Sequence, residues 1–299
     1  MNFIALLIAL ALEKGLSRTL ALREPRFLYG YARFSARAAA AAGPLRMVVA
    51  ILAALLPALI VAAIAFVFGY RLAGLLWVAY GALILFFALG PRDLELEISE
   101  YCEHAKAATP EAPGEAARVA SDILGHDARQ RRGPGLESVA DAAFVQANNR
   151  LFGVLFWFVV LPPAGALLFR VTDLLRRAAI ERAEASPEPG TEATAAVMQQ
   201  LHGILAWLPA RLLALTYGVA GSFDDAFAGW RNYLAAERDA FFEANDRLLV
   251  HAGRGALVSA AAATTTEPER AERAWRLIHR SFWIWLTVIG VLTISAYLA

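Results

Sequence analysis

Apolar and polar positions divide the chain into long apolar runs separated by charged stretches. Leu45–Gly69 (LRMVVAILAALLPALIVAAIAFVFG) carries one charge, at its edge, and Leu72–Gly90 carries none. Phe282–Leu298 is also uncharged and has Trp and Tyr near its ends, where interfacial anchors sit. Roughly 20 apolar residues cross a bilayer, so the first run is long enough, the second adequate and the third short. Two further runs are irregular. One extends from Asn148-Asn149-Arg150 to Arg170 and breaks at Pro162-Pro163; the other, Gly203–Gly221, holds Pro209 and Arg211 at mid-depth. The N-terminal stretch Asn2–Leu12 is too short to span comfortably. It lacks the basic start and cleavage site of a signal peptide, so the expectation is a retained helix, packed against or dipping into the membrane.

The polar segments read as helices. RDLELEISEYCEHAKAA sets Leu94, Ile98, Tyr101 and Ala105 at helical spacing, with Glu95, Glu97, Glu100 and Glu103 on a solvated face. GEAARVASDILG predicts a second helix closed by Gly125, HDARQRRGPG a loop, and LESVADAAFVQANN a third helix. EASPEPGTEAT has no helical period and reads as a linker. AFAGWRNYLAAERDAFFEANDRLL predicts one amphipathic helix with Trp230, Tyr233, Leu234, Phe241 and Leu248 on a broad stripe. TTTEPERAERAWRLIHR is a helix with Thr266 as N-cap and Pro268 in the first turn, leading into the last run.

The pattern predicts an all-α integral membrane protein with four to five long membrane segments, two of them Pro-interrupted, plus cytoplasmic amphipathic helices. A single membrane domain, 1–299, is expected. Its parts are an N-terminal helix and basic segment (1–44), a helical hairpin across the short link Tyr70-Arg71 (45–90), cytoplasmic helices (91–147), two broken membrane segments with a linker (148–221), cytoplasmic helices (222–281) and a C-terminal span (282–299).

Composition agrees. The chain of 299 residues is 59% hydrophobic and 18% charged, against about 45–50% and about 25% for soluble domains. A net charge of +1 gives no bias toward nucleic acid, and none is expected as a partner. The Arg-rich segments 13–44 (Arg18, Arg23, Arg26, Arg33, Arg37), 91–147 and 222–281 fall on one side if all five long runs cross, and the positive-inside rule makes that side cytoplasmic. Cys102 stands alone, so there is no disulfide framework and no Cys-based metal site. His104, His126, His202, His251 and His279 are scattered without ligand spacing, no Ser lies in a GxSxG context, and no GxxxxGK[ST] loop is present. No catalytic or metal residue is expected, and no cofactor is indicated.

Several polar residues carry alternatives. The carbonyls freed by Pro162-Pro163 need partners at membrane depth. Arg211 near mid-membrane costs about 2.5–3.5 kcal/mol on insertion scales and calls for an acid or a bound anion, unless it snorkels from an interfacial helix. Asn148 and Asn149 either cap a helix start or place amides at a cavity mouth. Arg92 either joins an anion site or anchors the interface.

Two stretches, ANNRLFGVLFWFVVLPPAGALLFR and LAWLPARLLALTYGVAGSFDDAFAGW, resemble the AmpE family, and the order of elements agrees over nearly the whole chain. That resemblance implies a multi-pass protein of the bacterial inner (cytoplasmic) membrane, regulatory in β-lactamase induction and the cell-wall stress response. AmpE is in turn similar to the cobinamide-phosphate synthases CobD or CbiB, which join an aminopropanol unit to a corrinoid acid with ATP and Mg²⁺. Their ENxxDG pattern reads NNRLFG here: Asn149 matches the family Asn, but the Glu has become Asn148 and the Asp has become Phe152. The family Lys has become Arg170, Asp173 replaces an Asn, and Arg176 falls at about the family Asp. Mg²⁺ sites usually use carboxylates, and Asp173 and Asp127 remain, in different segments. The synthase reaction is therefore not carried over.

The resemblance leaves a pocket between the two broken segments, with Arg170 and Arg211 suited to a carboxylate or phosphate. The expected ligand-binding residues are Arg92, Asn148, Asn149, Arg150, Arg170, Asp173 and Arg211. The leading expectation is a sensor that binds a small anionic ligand or a cytoplasmic protein partner, with the lipid bilayer as its environment. The alternative is a CobD/CbiB-like membrane enzyme acting on an anionic substrate with ATP and Mg²⁺. A transporter is disfavoured by the lack of an inverted repeat.

Overall fold

The computed structural model describes residues 2–16, 26–69, 74–89, 94–107, 114–120, 123, 138–236, 244–258 and 266–298. Among these, every regular element is helical. The helices are α1 (Asn2–Leu16), α2 (Arg26–Ala41), α3 (Arg46–Gly69), α4 (Leu75–Ala88), α5 (Leu94–Lys106), α6 (114–120), α7 (Val139–Ala147), α8 (Gly153–Val160), α9 (Ala164–Ala185), α10 (Pro189–Ala220), α11 (Phe223–Ala236), α12 (Ala244–Ala256) and α13 (Glu267–Leu298). Arg18, Arg23, the Tyr70-Arg71 link, Arg92, Gly125, the whole HDARQRRGPG segment with His126 and Asp127, and Phe241 lie outside the described residues.

Among the described residues, four helical stretches are long and apolar enough to cross a membrane: Gly43–Val67, Val139–Val160, Pro189–Ala220 and Glu267–Ser295. The protein is thus an all-α, multi-pass membrane protein. The run Leu72–Gly90 is shorter as a helix than as a sequence. Gly74 has a positive φ of 77° and α4 ends at Ala88, about 21 Å of helix at 1.5 Å per residue. It packs along the equally short apolar α1, where Gly81 lets Ala5 approach: a Cβ there would lie 3.3 Å from Ala5 Cβ.

The described residues form two compact units, Met1–Pro91 with Asn149–Ala206, and Arg92–Asn148 with Trp207–Ala299. In the first, α2, α3 and α9 pack together. Leu28, Ala32, Ala36 and Ala39 make one stripe of α2, facing Ala50, Ala53 and Ala54 of α3 and Val171, Leu174, Leu175 and Ala178 of α9. Small residues let membrane helices approach closely, so packing can hold them where lipid offers no hydrophobic drive.

The prolines of α3 and α10 are accommodated by one device. Pro57 has no N–H for the carbonyl of Ala53, one turn earlier, and the Tyr31 hydroxyl donates to that oxygen at 2.7 Å. Pro209 likewise deprives Leu205, and Trp157 Nε1 donates to the Leu205 carbonyl at 2.9 Å. A helix thus continues through a proline in hydrocarbon because a neighbouring aromatic donor satisfies the orphaned acceptor. Pro162-Pro163, a cis X-Pro bond, instead ends α8 and bends the chain into α9.

In the second unit α13 packs on α5 and α7, α12 on α7, and α11 on α12. Ser138 caps α7 through Asp141 N at 3.2 Å, and Glu267 accepts from Val139 N at 2.9 Å. Arg254 donates to both Asp141 oxygens at 2.8 and 2.7 Å. Glu269 accepts from Thr266 N at 3.0 Å, one half of a capping box at the start of α13.

Four local expectations change. The 226–249 stretch belongs to two antiparallel helices, α11 and α12, because Gly229 and Gly255 let their backbones meet: a Cβ at Gly229 would lie 2.8 Å from His251 O, and one at Gly255 2.5 Å from Asp225 O. The expected linker shrinks to Ser186–Glu188, since Pro189 starts α10 and the Thr191 hydroxyl donates to the Ser186 and Glu188 carbonyls. Glu97 is buried beside Ile98 and Tyr101 instead of lying on a solvated face. Asn148 and Asn149 do not cap a helix start; Asn148 closes α7, its N–H bonded to Val145 O, and both lie in a π-helical turn, Asn148–Phe152, that carries α7 into α8.

Candidate functional site

Past the bend, α9 turns Leu167, Val171, Leu174 and Ala178 toward the α2–α3 core. Its polar residues recur at helical spacing on Asp173, since positions three and four apart are neighbours on a helix. Asp173 is fully buried. Its Oδ2 accepts from Arg170 Nη1 at 3.1 Å and from Arg177 Nε at 3.0 Å, and its Oδ1 from Arg176 Nη2 at 2.8 Å. Arg170 is 2% exposed, and only Arg177, at 21%, reaches toward the outside. Within this quartet three cations face one anion. Arg170 Nε, itself buried, has no hydrogen-bond partner among the described residues.

Burial alone would raise the Asp173 carboxyl, but Arg177, Arg176, His202 and Arg170 outweigh it and hold the group well below the usual carboxylate range. For Arg170, burial pushes the guanidinium down, and the Asp173 carboxylate opposes it. The cluster is therefore ionised across the physiological range.

A second layer ties α9 to the π-helical turn. The Thr172 hydroxyl donates to Phe169 O at 2.8 Å and lies 3.5 Å from His202 Nδ1. His202 Nε2 lies 3.2 Å from Asn149 Oδ1, an acceptor, so Nε2 is the donor. The Phe169 ring sits 5.0 Å from the imidazole, centroid to centroid. A π-helical turn holds an extra residue per hydrogen-bonded ring, and such turns are frequent at functional sites. Here the turn places Asn149 on His202 and buries Phe152 completely.

Of the expected residues, the first unit brings together Asn149, Arg170 and Asp173, with Arg150, part-buried, on the same π-helical turn. Asn148 is buried at the end of the second unit's α7 segment. Arg211 also belongs to the second unit. Its Nη1 donates to Asn245 Oδ1 at 2.9 Å and Trp207 O at 3.0 Å, and its guanidinium lies 4.1 Å from the Trp207 ring centroid. Arg92 lies outside the described residues. Thr172, Arg177 and His202 were not anticipated, and Arg176 was noted only for its alignment. The i+3 and i+4 spacing of Arg176 and Arg177 from Asp173 was a legible signal; the approach of His202, 53 residues from Asn149, was not.

The donor set does not fit the Mg²⁺ that the synthase resemblance implies. Among the described residues no three His, Cys, Asp or Glu side chains gather as a metal would require. Both oxygens of Asp173 are engaged by guanidinium groups, whose charge repels a cation.

The chain matches, over residues 2–298, the family model described as "Regulatory signalling modulator protein AmpE". It is similar to a cobalamin biosynthesis protein CobD of Chromobacterium violaceum, 29% identical over 234 residues, which cover 71% of each chain. A second CobD, from Stutzerimonas stutzeri, is 29% identical over 171 residues, 54% of this chain and 50% of that protein. No solved structure matches.

Proposed function

We infer a regulatory, ligand-responsive role from two facts: the chain belongs to the AmpE family, and a fully buried carboxylate in its first unit is held by three arginines. The buried Arg170 guanidinium, whose Nε has no hydrogen-bond partner among the described residues, is the observation that carries the inference. Buried charge is costly unless paired, and a small carboxylate or phosphate would accept from that nitrogen. Arg170 supplies the donor, and Arg177 marks the side of entry. Asn149, Thr172 and His202 link that site to the π-helical turn, so occupancy would bias the membrane segment that follows it. The role is sensing at the bacterial inner membrane in the cell-wall stress response, with β-lactamase induction as the output.

The similarity to two cobalamin biosynthesis proteins favours a second role, a membrane enzyme acting on an anionic corrinoid precursor. One experiment separates the two. The gene is deleted, and the strain is assayed for nitrocefin hydrolysis after β-lactam induction and for growth without cobalamin. Loss of induction, restored by wild type but not by Arg177→Gln at equal membrane abundance, supports the sensor. Unchanged induction with a new cobalamin requirement supports the enzyme and overturns the sensor.

A further inference from the structure

We propose that α11 lies in the membrane–water interface with Phe223, Phe227 and Trp230 against lipid, so that the α11–α12 hairpin rests on the bilayer surface. The inference concerns the second unit and stands independently of the anion site.

The chain geometry brings α11 to the interface. The apolar run of α10 ends at Gly221, and α11 begins at Phe223. Three residues past Ala220 reach at most about 10 Å, comparable with the polar zone flanking the roughly 30 Å hydrocarbon core. The helix is divided into three faces. Ala226 and Tyr233 are buried, and Gly229 meets His251 O; this face packs on α12. Asp224, Asp225, Arg231 and Asn232 are exposed and form the polar face. Between the two lies an aromatic ladder. Phe223 and Phe227 are 53% and 48% exposed and stack 6.2 Å apart with rings 3° from parallel, and Trp230 meets Phe227 edge-on at 6.1 Å.

The lipid-facing surface of α10 identifies the occupant. Leu208, Leu212, Leu215 and Val219 are exposed along one stripe of that span, at spacings of four, three and four. Past the turn at Gly221-Ser222, Phe223 comes back against the end of this span, where a Cβ at Gly218 would lie 3.4 Å from Phe223 Cδ2, so the ladder adjoins the exit of α10. Aromatic rings at a span exit favour the headgroup level. An amphipathic helix with a separate polar face lies in the plane of the interface.

The lone cysteine makes the test direct. In a Cys102→Ser background of the full chain, reconstituted in phosphatidylcholine/phosphatidylglycerol vesicles, a nitroxide is placed at Phe227→Cys, Phe223→Cys or Asn232→Cys. Power saturation is measured with oxygen, which enters lipid, and with a water-soluble nickel chelate. The expected result is a positive depth parameter at 227 and 223 and a negative one at 232. Greater chelate than oxygen accessibility at all three overturns the proposal by placing the helix in water. A label at 227 and 223 immobilised and inaccessible to both reagents also overturns it, showing protein, such as a second copy of the chain, covering the ladder. Two ladder positions guard against one substitution unfolding the hairpin, and each variant is kept only if its elution profile in detergent matches wild type.

Discussion

Replacing Asp173 with asparagine removes one charge without changing shape and leaves three guanidinium groups facing one another in a buried site. Each Arg–Asp pair, with charges about 4 Å apart, represents about 4 kcal/mol of gross attraction at an effective dielectric near 20. Desolvation of the same groups cancels much of that sum, and removal of one partner from a buried pair costs about 3–5 kcal/mol net. For a compact unit of the size that holds the cluster, 1 kcal/mol corresponds to about 2–4 °C in Tm. Asp173→Asn is therefore expected to lower the midpoint by on the order of 10 °C. Arg177→Gln removes the most exposed of the three arginines, at 21%, and is expected to cost less than Asp173→Asn. Arg170→Met added to Asp173→Asn is expected to recover part of the loss, because it takes a buried cation out of the unbalanced cluster. The assay is the monodisperse fraction remaining after heating in detergent, read by size exclusion at one fixed heating time, since such unfolding is irreversible. An Asp173→Asn midpoint within about 2 °C of wild type would refute the idea that this carboxylate neutralises the cluster. So would a double variant less stable than the single one.

Two further outcomes follow. Because the folded Asp173 carboxyl lies below its ordinary value near 3.8, its contribution is fully present above that value and is lost as pH falls through the folded one; the midpoint difference between wild type and Asp173→Asn should stay flat from pH 5 to 8 and shrink only in stronger acid. Gly255→Ala would set a Cβ 2.5 Å from Asp225 O and 2.8 Å from Ala226 Cα, so the α11–α12 pair should lose about 1–3 kcal/mol, seen as faster amide hydrogen exchange in α11 and α12 than in wild type.

The apolar runs predicted an all-helical membrane protein because crossing hydrocarbon demands a property of the segment alone: enough consecutive apolar residues with internally satisfied backbone. One helix start was legible for the same reason. The start of α13 at Thr266 is set within one turn, where Glu269 accepts from the Thr266 N–H, whereas the Ser138 cap was not anticipated and Pro189 falls in the expected linker. The Asp173 cluster was half legible: three arginines at i±3 and i+4 of an acid form a local pattern, but it becomes a site only because folding buries Asp173 completely and brings His202 of α10 near it.

What the tertiary structure alone decided was which distant groups meet. Pro57 and Pro209 were visible as missing donors, yet nothing near them names Tyr31 or Trp157 as the replacement, 22 and 48 residues from the carbonyls they satisfy. His202 joins Asn149 across 53 residues. Residues 226–249 read as one helix because amphipathic periodicity continues through them; the glycines at 229 and 255 permit the backbone contact that makes two helices instead. Periodicity and capping are fixed by a residue and its neighbours in the chain. The partner of a buried polar group is fixed by which elements pack together, and that is a property of the folded chain.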